Sequence, residues 1–509
     1  MGDCSMIDKL HNSSFWAQMG QEELVSAFEA GSVVGPVVRV DTHLSHVFLT
    51  PNRAFKLKRA VRLPFVDFTT IERRKAACEA ELEVNRRFAG ALYLGALPVT
   101  RGDRSFAVAG SGEVVDWVVA MRRFAQRDQF DDLATAGGLT VVLAKRAAKA
   151  VALAHAQAPV AFTVGHTADY RHVIRELRAT EAAAAQKLGL EPASSRLFEQ
   201  LDTELTRVDP SIEARRKLGK VRRGHGDLHL RNICLFEGEP TPFDALEFDE
   251  RLATTDVLYD LAFLIMDMRR VGLAAQANAV MNTYWDAAGE DEAALDLLPF
   301  FMSLRAAVRM AVAVETAKLE EARRYRQLGV ELLTPAPARL VAIGGLSGVG
   351  KSAVAEGLAP MLPGPAGARL LRTDVLRKRM LGLPLAERAQ DSAYAPERQS
   401  EVYEELAVRA ENALANHASV VADATFRASL QRESIGRAAH GAAFNGYWLQ
   451  APLHTRLQRA AQRFGDASDA DVKVAAEQKE PSDLSASWRT LDASASSPAE
   501  LAEAIRSDF

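Results

Sequence analysis

The sequence has few cysteines, no marked excess of charge and no long apolar run. Its 509 residues include three cysteines, Cys4, Cys78 and Cys234, which are far apart and not in ligand pairs. A disulfide framework and a structural zinc site are therefore not expected, and a reducing cytoplasm fits the chain. The formal net charge is −4, so the composition gives no electrostatic case for a nucleic-acid partner.

The N-terminus lacks a basic segment followed by an apolar run, so no signal peptide is predicted. No stretch approaches 18 uninterrupted apolar residues, and we expect a soluble cytoplasmic protein that has no membrane partner. A chain of 509 residues is too long for one hydrophobic core, which indicates two or three domains. Nothing in the sequence predicts the oligomeric state.

The first part of the chain combines β-rich and helical patterns. Residues 37–66 contain short β-rich runs that predict three antiparallel strands, and residues 113–124 predict a further strand. A helix that begins at Thr69 or Thr70 is predicted between them. Residues from about 130 to 220, and again from about 255 to 332, have helical periodicity.

The second part begins after "TPAPA" (334–338), where two prolines among small residues indicate a linker. The segment "RLVAIGG" and residues 418–426 and 442–452 predict strands that alternate with helices, which indicates a parallel sheet with crossover connections. We predict a first domain over 1–333, with an N-lobe at about 30–124 and a helical C-lobe at about 125–333, then a linker at 334–338 and a second domain over 339–509.

The stretch "HGDLHLRN" (225–232) has an aspartate and, five residues later, an asparagine. A phosphoryl-transfer site needs a base, a metal between the phosphates and a cation on them. Asp227 would accept the proton of an attacking hydroxyl, and Asn232 would offer a neutral oxygen to magnesium. Asp244 follows a short apolar strand, where a second metal ligand is expected.

A lysine and a glutamate upstream would complete this site. Lys56 and Lys58 lie on one face of the third predicted strand, because side chains alternate along a strand, so either could reach the phosphates. Glu81 on the following helix could pair with that lysine. Each residue alone is typical of a turn or of a solvated surface, but together they follow the order in which a protein-kinase-like fold supplies its parts.

At these residues the chain resembles the aminoglycoside phosphotransferase-like kinases, which use an HGDxxxxN motif and phosphorylate small-molecule hydroxyls. The resemblance covers roughly residues 30–330. It implies an α+β protein-kinase-like fold with a small antiparallel-sheet lobe and a helical lobe. The roles that it implies are a catalytic aspartate (Asp227), magnesium ligands (Asn232 and Asp244), a phosphate lysine (Lys56, with Lys58 as the alternative), a partner for that lysine (Glu81) and backbone contacts to adenine (near Ala120 to Arg122).

The sequence departs from this family in two places. The motif "FDALEFD" replaces the usual metal-binding pattern, so Glu247 or Asp249 could serve instead of Asp244. The loop "THLSH" (42–46) lacks the glycines of a protein-kinase phosphate loop. Asp260, on the helix that resembles the next one in the family, is expected to brace the catalytic loop rather than to act in catalysis.

The stretch "GLSGVGKS" fits the P-loop pattern, with its fixed positions at Gly345, Gly350, Lys351 and Ser352. It follows an apolar strand and opens a helix, as the pattern requires. The backbone amides of the loop, which also contains Ser347, Gly348 and Val349, form an anion nest at a helix N-terminus. Lys351 would reach the β- and γ-phosphates, and Ser352 would bind magnesium.

Further candidates follow the P-loop. Asp374 could orient a substrate hydroxyl or cap the next helix, and Arg377 could hold an anionic group of the substrate. Asp423 ends a predicted strand, where it could be a magnesium ligand or simply a turn residue. Arg459 and Arg463 lie on one helix face, where they could close over the phosphates or simply be solvated.

Here the chain resembles the P-loop kinases grouped with zeta toxins, gluconate kinases and polynucleotide 5′-kinases, over roughly residues 339–495. The resemblance implies an α/β fold with a parallel sheet. It implies that Asp374 activates the substrate, that Arg377 anchors it and that Arg459 or Arg463 is a lid arginine. The substrates of this group differ widely, so no substrate is implied.

Together these patterns predict a two-domain phosphotransferase that uses ATP and Mg²⁺ at both sites and phosphorylates small-molecule hydroxyls. One alternative is a sensor or regulatory protein in which one kinase-like domain binds ATP without transfer. Another is a toxin-like kinase that acts on a nucleotide sugar. Aminoglycoside resistance is not expected, because a polycationic drug needs a strongly acidic cleft that the composition does not show.

Overall fold

The computed structural model describes residues 21–63, 66–103, 105–189, 196–247, 249–385, 387–461, 476 and 478–509. The described residues form two compact units. One contains those of Met1–Asp169 and Glu213–Leu264, and the other contains those of Tyr170–Ile212 and Ile265–Phe509. The units do not divide the chain at 334–338, so the predicted domain boundaries stay a prediction.

The described strands are β1 (Val38–Asp41), β2 (Ser45–Leu49), β3 (Arg53–Lys58), β4 (Arg62–Leu63), β5 (Val66–Asp67), β6 (Tyr93–Arg101), β7 (Phe106–Val108), β8 (Glu113–Arg122), β9 (Val221–Arg223), β10 (Ile233–Phe236), β11 (Glu239–Pro242), β12 (Thr254–Asp256), β13 (Arg339–Gly345), β14 (Arg369–Arg372), β15 (Val420–Asp423), β16 (Ala443–Gln450) and β17 (Trp488–Asp492).

The described helices are α1 (residues 21–29), α2 (Ile71–Ala89), α3 (Phe130–Thr135), α4 (Val141–Gln157), α5 (Thr167–Leu188), α6 (Arg196–Lys217), α7 (Glu250–Ala253), α8 (Val257–Arg270), α9 (Ala274–Ala288), α10 (Leu298–Glu315), α11 (Leu319–Leu332), α12 (Lys351–Leu358), α13 (Thr373–Met380), α14 (Pro396–Ala415), α15 (Ser429–Arg437), α16 (Leu453–Ala461) and α17 (Pro498–Arg506).

The first unit contains a six-stranded antiparallel sheet in the order β1-β2-β3-β8-β6-β7. The predicted meander is β1 to β3, and the strand predicted at 113–124 is β8. Helix α2 lies against this sheet, where Cys78 and Ala89 pack with Val119 and Met121 of β8. Thr70 caps α2, since its hydroxyl accepts the N–H of Arg73 at 3.3 Å.

Short strands frame the "HGDLHLRN" loop of the first unit. Strand β9 precedes the loop and pairs antiparallel with β12. Strand β10 follows the loop and forms a hairpin with β11. The "FDALE" segment (243–247) continues from β11 outside any regular element. The loop and the acidic segment after β11 are thus held by strands on both sides.

The second unit contains a five-stranded parallel sheet in the order β14-β15-β13-β16-β17. The predicted alternation of strands and helices after residue 338 is confirmed. Helices α12 and α17 cover one face, where Leu358 and Ile505 pack with Val341, Ile343 and Val421. The sheet positions the P-loop at the carboxyl end of β13, where parallel-sheet proteins bind ligands.

The edge strand β14 is covered by polar side chains of α9 in the same unit. Asn282 accepts the N–H of Leu370 at 2.7 Å and donates to the carbonyl of Ala368 at 3.1 Å. The Arg369 side chain is 1% exposed, and its guanidinium group lies 2.6 Å from Asp286 Oδ1 and 3.1 Å from Glu292 Oε1. Asn282 thus satisfies backbone groups that an edge strand would otherwise leave unpaired, and the ion pairs hold the Arg369 side chain in place.

One helical stretch among the described residues, Glu292–Glu315, has the length and apolar composition of a membrane span. Of its apolar window, 72% is buried inside the structure. Phe300 and Phe301 pack against Tyr170, with ring centroids 6.2 and 5.5 Å away. Burial of this kind is typical of a core helix, and the cytoplasmic location stays a prediction.

Candidate active sites

The "HGDLHLRN" loop of the first unit holds Asp227 from two sides. The Asn232 side-chain amide donates to Asp227 Oδ2 at 3.0 Å and to its carbonyl at 2.9 Å. His229 Nε2 lies 3.3 Å from the same carboxylate oxygen. His229 Nδ1 accepts the N–H of Arg231 at 3.2 Å, which places the ring proton on Nε2, toward Asp227. Sequence reasoning missed His229.

Asp260 braces this loop, as its position predicted. Its carboxylate is 1% exposed and accepts the backbone N–H groups of His225 and Gly226 at 2.7 and 2.9 Å. His155 Nε2 lies 3.0 Å from Asp260 Oδ2. Gly226 has φ +81°, and a Cβ there would lie 2.7 Å from that of Ala253, so only glycine fits. The buried carboxylate of Asp260 therefore fixes the backbone at the start of the loop.

Three elements bring Lys56, Glu81 and Asp244 together. Lys56 Nζ on β3 lies 3.0 Å from Glu81 Oε1 on α2 and donates to Asp244 Oδ1 in the segment after β11. Burial opposes the charge on Lys56, but Asp244 and Glu81 outweigh it and hold the pKa of the lysine well above its usual value. Lys56 therefore stays charged, as the predicted contact with phosphates requires.

Lys58 takes part in a second, deeper ion pair. It is 1% exposed, lies 2.5 Å from Glu81 Oε2 and donates to Glu247, whose side chain is 7% exposed. Lys56 is 12% exposed beside Asp244, which is 40% exposed. Lys56 and Asp244 therefore reach the solvent side of the site, whereas Lys58 and Glu247 fasten the acidic segment to β3. Asp249 caps α7 by accepting the N–H of Arg251 at 2.9 Å.

The acidic segment has a strained backbone at Asp244, where φ is +61°. Left-handed conformations of residues other than glycine are uncommon and cluster at functional sites. The Asp244 N–H donates to the hydroxyl of Tyr93 at 3.1 Å, and the next N–H, of Ala245, donates to Asn85 Oδ1 at 2.9 Å. Tyr93 and Asn85 hold the strained turn, and sequence reasoning missed both.

The residues predicted near adenine lie within the sheet. Ala120 is fully buried and pairs with Phe55 of β3 and Gly95 of β6. The N–H of Arg122 donates to the carbonyl of Leu92 at 2.8 Å. Lys56 pairs with Val119 on this strand, so the segment predicted near adenine lies beside Lys56. A contact with adenine at Ala120 or Arg122 stays a prediction.

The residues around Asp227 fit a magnesium ion that shares its ligands with a nucleotide. No group of three or more His, Cys, Asp or Glu in the described ranges could hold a metal. Mg²⁺, however, usually binds through one or two carboxylates together with water and substrate phosphates. Asp244 offers a carboxylate at the solvent side, and Asn232 offers its amide oxygen, because its amide nitrogen is bound to Asp227.

The P-loop of the second unit depends on its glycines. Gly345 and Gly348 have φ +139° and +83°, and a Cβ at Gly348 would lie 2.3 Å from the carbonyl oxygen of Arg456. The loop ends at Gly350, which precedes the first residue of α12, Lys351. Backbone amides that converge at a helix N-terminus bind phosphate. Lys351 Nζ donates to the carbonyl of Leu346 at 3.2 Å, within the loop.

The two candidate magnesium ligands of this site lie in contact. Ser352 Oγ donates to Asp423 Oδ2 at 2.6 Å. Asp423 is 4% exposed, and burial raises the pKa of its carboxyl although Arg372 and Lys351 oppose the shift. A hydroxyl and a carboxylate beside a phosphate nest are the protein ligands that Mg²⁺ uses in P-loop proteins, so the residues fit the metal.

The side chain of Gln478 forms a hydrogen bond with one backbone amide of the P-loop. Its side-chain oxygen accepts the N–H of Ser347 at 2.7 Å. An amide that the P-loop pattern assigns to phosphate is thus satisfied by a neutral oxygen from a distant part of the chain. Sequence reasoning missed Gln478, because no motif marks it.

Asp374 and Arg377 lie together on α13. Arg377 Nη1 donates to Asp374 Oδ1 at 2.9 Å, and its guanidinium carbon lies 4.4 Å from the centre of the Tyr394 ring. Asp374 lies in the first turn and does not cap the helix, since Arg372 precedes the first helical residue. Arg377 Nε is buried without a hydrogen-bond partner in the described residues, which fits a group that awaits a ligand.

Arg459 lies against the P-loop backbone. Its two terminal nitrogens donate to the carbonyls of Val349 at 2.9 Å and Ala493 at 3.0 Å. This position supports the loop from the side of its carbonyl groups, and closure over the phosphates stays a prediction. Arg463, the other predicted lid arginine, lies outside the described residues.

A family model and several relatives match this chain. Residues 340–483 match the family model described as AAA domain. The chain is similar to uncharacterized proteins of Mycobacterium bovis and Mycobacterium tuberculosis, each 29% identical over 452 residues, which cover 86% of this chain and 88% of the relative.

Solved structures similar to this chain fall into two groups. A choline/ethanolamine kinase family protein from Mesorhizobium loti is 13% identical and has a TM-score of 0.37, covering 62% of this chain and 96% of that chain. A thermostable mutant of an aminoglycoside phosphotransferase is 15% identical with a TM-score of 0.39, covering 60% and 96%. A gluconokinase from Sinorhizobium meliloti is 20% identical with a TM-score of 0.24, covering 34% and 94%.

The architecture of each part agrees with the predicted fold class. The antiparallel sheet, the helix that carries Glu81 and the loop that carries Asp227 form a protein-kinase-like fold. The parallel five-stranded sheet with its P-loop forms a P-loop kinase fold.

Proposed function

We propose that this chain is an ATP-dependent phosphotransferase with two kinase-type sites, each of which transfers the γ-phosphoryl group of Mg·ATP to a hydroxyl of a small molecule. The observation that carries the proposal is the ion-pair cluster of Lys56, Glu81 and Asp244, which three separate elements supply. Lysine paired with a helix glutamate, beside an aspartate that can bind metal, is the arrangement that active protein kinases require.

At the first site Asp227 is the candidate base. The acceptor oxygen forms a bond with the γ-phosphorus, the bond from that phosphorus to the bridging oxygen of ADP breaks, and Asp227 takes the hydroxyl proton. His229 and Asn232 orient its carboxylate. A magnesium ion on Asn232 and Asp244 would neutralise charge on the phosphates, and Lys56 would contact the phosphates directly.

At the second site the same chemistry has a different support. Asp374 is the candidate base, and Arg377 beside it would hold an anionic group of the acceptor. Lys351 and the loop amides would bind the phosphates. Ser352 and Asp423 would hold magnesium. Each site therefore has its own lysine, base and metal ligands, which supports two separate transfers rather than one shared transfer.

The test is a screen of hydroxyl metabolites by ADP release, carried out on the full chain and on two variants, Asp227→Asn and Lys351→Ala. We expect metabolites that depend on one site to lose turnover in one variant and to keep it in the other. A sensor protein would bind Mg·ATP at both sites and release ADP at one site alone. If the doubly substituted chain still turns over every accepted metabolite, the proposal is contradicted.

A further inference from the structure

Arg372 lies beside both residues that we assign to magnesium at the second site. It ends β14, where its register partner on the neighbouring parallel strand is Asp423. Its Nε lies 3.3 Å from Asp423 Oδ2, and its Nη2 donates to Ser352 Oγ at 3.2 Å. The side chain is 13% exposed. One cation of the chain itself therefore contacts the two oxygens that the metal needs.

The charges around Arg372 explain why it lies there. A carboxylate as buried as Asp423 is stable only beside a positive partner. Arg372 is the stronger positive influence on Asp423, and Lys351 adds to it. The carboxylate of Glu356 also lies near the guanidinium group, 3.9 Å from Nη1, and that side chain is 37% exposed. Of these two carboxylates, Asp423 is the closer to Arg372 and the more deeply buried.

Magnesium and Arg372 compete for the same oxygens. Mg²⁺ binds its oxygen ligands at about 2.0–2.1 Å, much closer than the guanidinium contacts, and two cations on one carboxylate oxygen repel each other. We propose that Arg372 is a resident cation that magnesium displaces from Ser352 and Asp423, and that it thereby sets the magnesium concentration at which the second site binds nucleotide. This rests on the proposed function, because it takes the second site to be a Mg·ATP site.

Competition has a consequence that a purely structural arginine lacks. Removal of a residue that only supports the fold weakens metal binding, because the ligands lose their positions. Removal of a competing cation strengthens metal binding, because Asp423 loses the charge that magnesium had to displace. The direction of the change therefore separates the two roles.

The experiment measures ADP binding by calorimetry in the full chain with Lys56→Met, which silences the first site. ADP affinity is measured first in EDTA, without Mg²⁺, and then at increasing Mg²⁺ concentrations. The Mg²⁺ concentration that gives half of the gain in ADP affinity is then compared between the chain with Arg372→Gln and the chain with Arg372. We expect this concentration to fall about tenfold in the variant, which corresponds to about 1.4 kcal/mol. Arg489→Gln, on β17 of the same sheet and paired with Asp508, is the matched control and should leave it unchanged.

Arg372→Lys keeps the charge and is the variant to use if the glutamine variant does not fold. Its ammonium group lacks the planar fork that contacts Ser352 and Asp423 together. We therefore expect the Mg²⁺ concentration for half of the gain in ADP affinity to fall about threefold, an intermediate change. A Mg²⁺ requirement that is unchanged or higher in the folded variants overturns the role of Arg372. Mg²⁺-dependent ADP binding that persists after Lys351→Ala is added would instead contradict the second site itself.

Discussion

The ammonium group of Lys56 lies 3.0 Å from Glu81 Oε1, although the two residues are 25 positions apart and belong to a strand and a helix. Glu81→Gln keeps the shape of the side chain and removes the charge that fixes the lysine. We expect about 100-fold slower transfer at the first site, because small displacements of a catalytic group cost about that much. Steady-state kinetics, with a metabolite whose turnover depends on Asp227, measure this loss of rate. An unchanged rate would mean that the pair does not position Lys56.

Asp244 is the candidate metal ligand of the acidic segment, whereas Asp249 caps α7. Asp244→Asn removes the carboxylate that faces Lys56, so we expect the first site to need at least about tenfold more Mg²⁺ for turnover. Asp249→Asn is the matched control, because asparagine caps a helix as well as aspartate does. A Mg²⁺ requirement that rises in the Asp249 variant and stays constant in the Asp244 variant would reverse the assignment.

Arg369 of the edge strand β14 forms ion pairs with Asp286 of α9 and with the buried Glu292. Arg369→Met leaves Glu292 buried and partly unpaired, and removal of one partner from a buried pair costs about 3–5 kcal/mol. We expect a lower urea midpoint of unfolding. Arg489→Met breaks an exposed pair with Asp508 and should cost less than about 1 kcal/mol. Equal midpoints for the two variants would show that the buried cluster does not hold β14.

The pH dependence of stability should reflect His225. Burial lowers the pKa of this histidine below its ordinary 6.5, and its Nε2 donates to the carbonyl of Phe243 at 2.9 Å. The unfolded chain therefore protonates this histidine near pH 6.5, whereas the folded chain protonates it only at a lower pH. The contribution of His225 to stability is therefore fully present above pH 6.5 and is lost as the pH falls toward the pKa of His225 in the folded chain.

We expect the urea midpoint of the unsubstituted chain to drop between pH 7.5 and pH 5.5, and to drop less in His225→Gln, whose amide does not titrate. His440→Gln, at an exposed histidine, is the control and should keep the full drop. Identical pH slopes in the His225 variant and the unsubstituted chain would remove His225 as a cause.

Local patterns predicted the elements that carry the sites better than they predicted the contacts between them. The Asp227, Asn232 and P-loop motifs lie within short stretches, so their spacing was readable. Strand β6 was missed because Gly95 and Pro98 break its β pattern, and its pairing with β8 shifts near Gly95. Strands β14 and β17 were missed because they are short and contain charged residues.

The choice between Lys56 and Lys58 needed the structure. Alternation places both side chains on one face of β3, and burial beneath Glu247 then decides which of them reaches solvent. Tyr93 and Gln478 were invisible to sequence reasoning for a related reason. Each is a single polar residue whose partner lies far away along the chain, and such contacts leave no periodic pattern.

The central claim is that one chain carries two separate nucleotide sites, and the stoichiometry of Mg·ADP binding tests it most directly. Calorimetry of the full chain should give two ADP per chain, one in Lys56→Met, one in Lys351→Ala and none in the doubly substituted chain. A single ADP in the unsubstituted chain, or loss of both from either single substitution, would contradict the account.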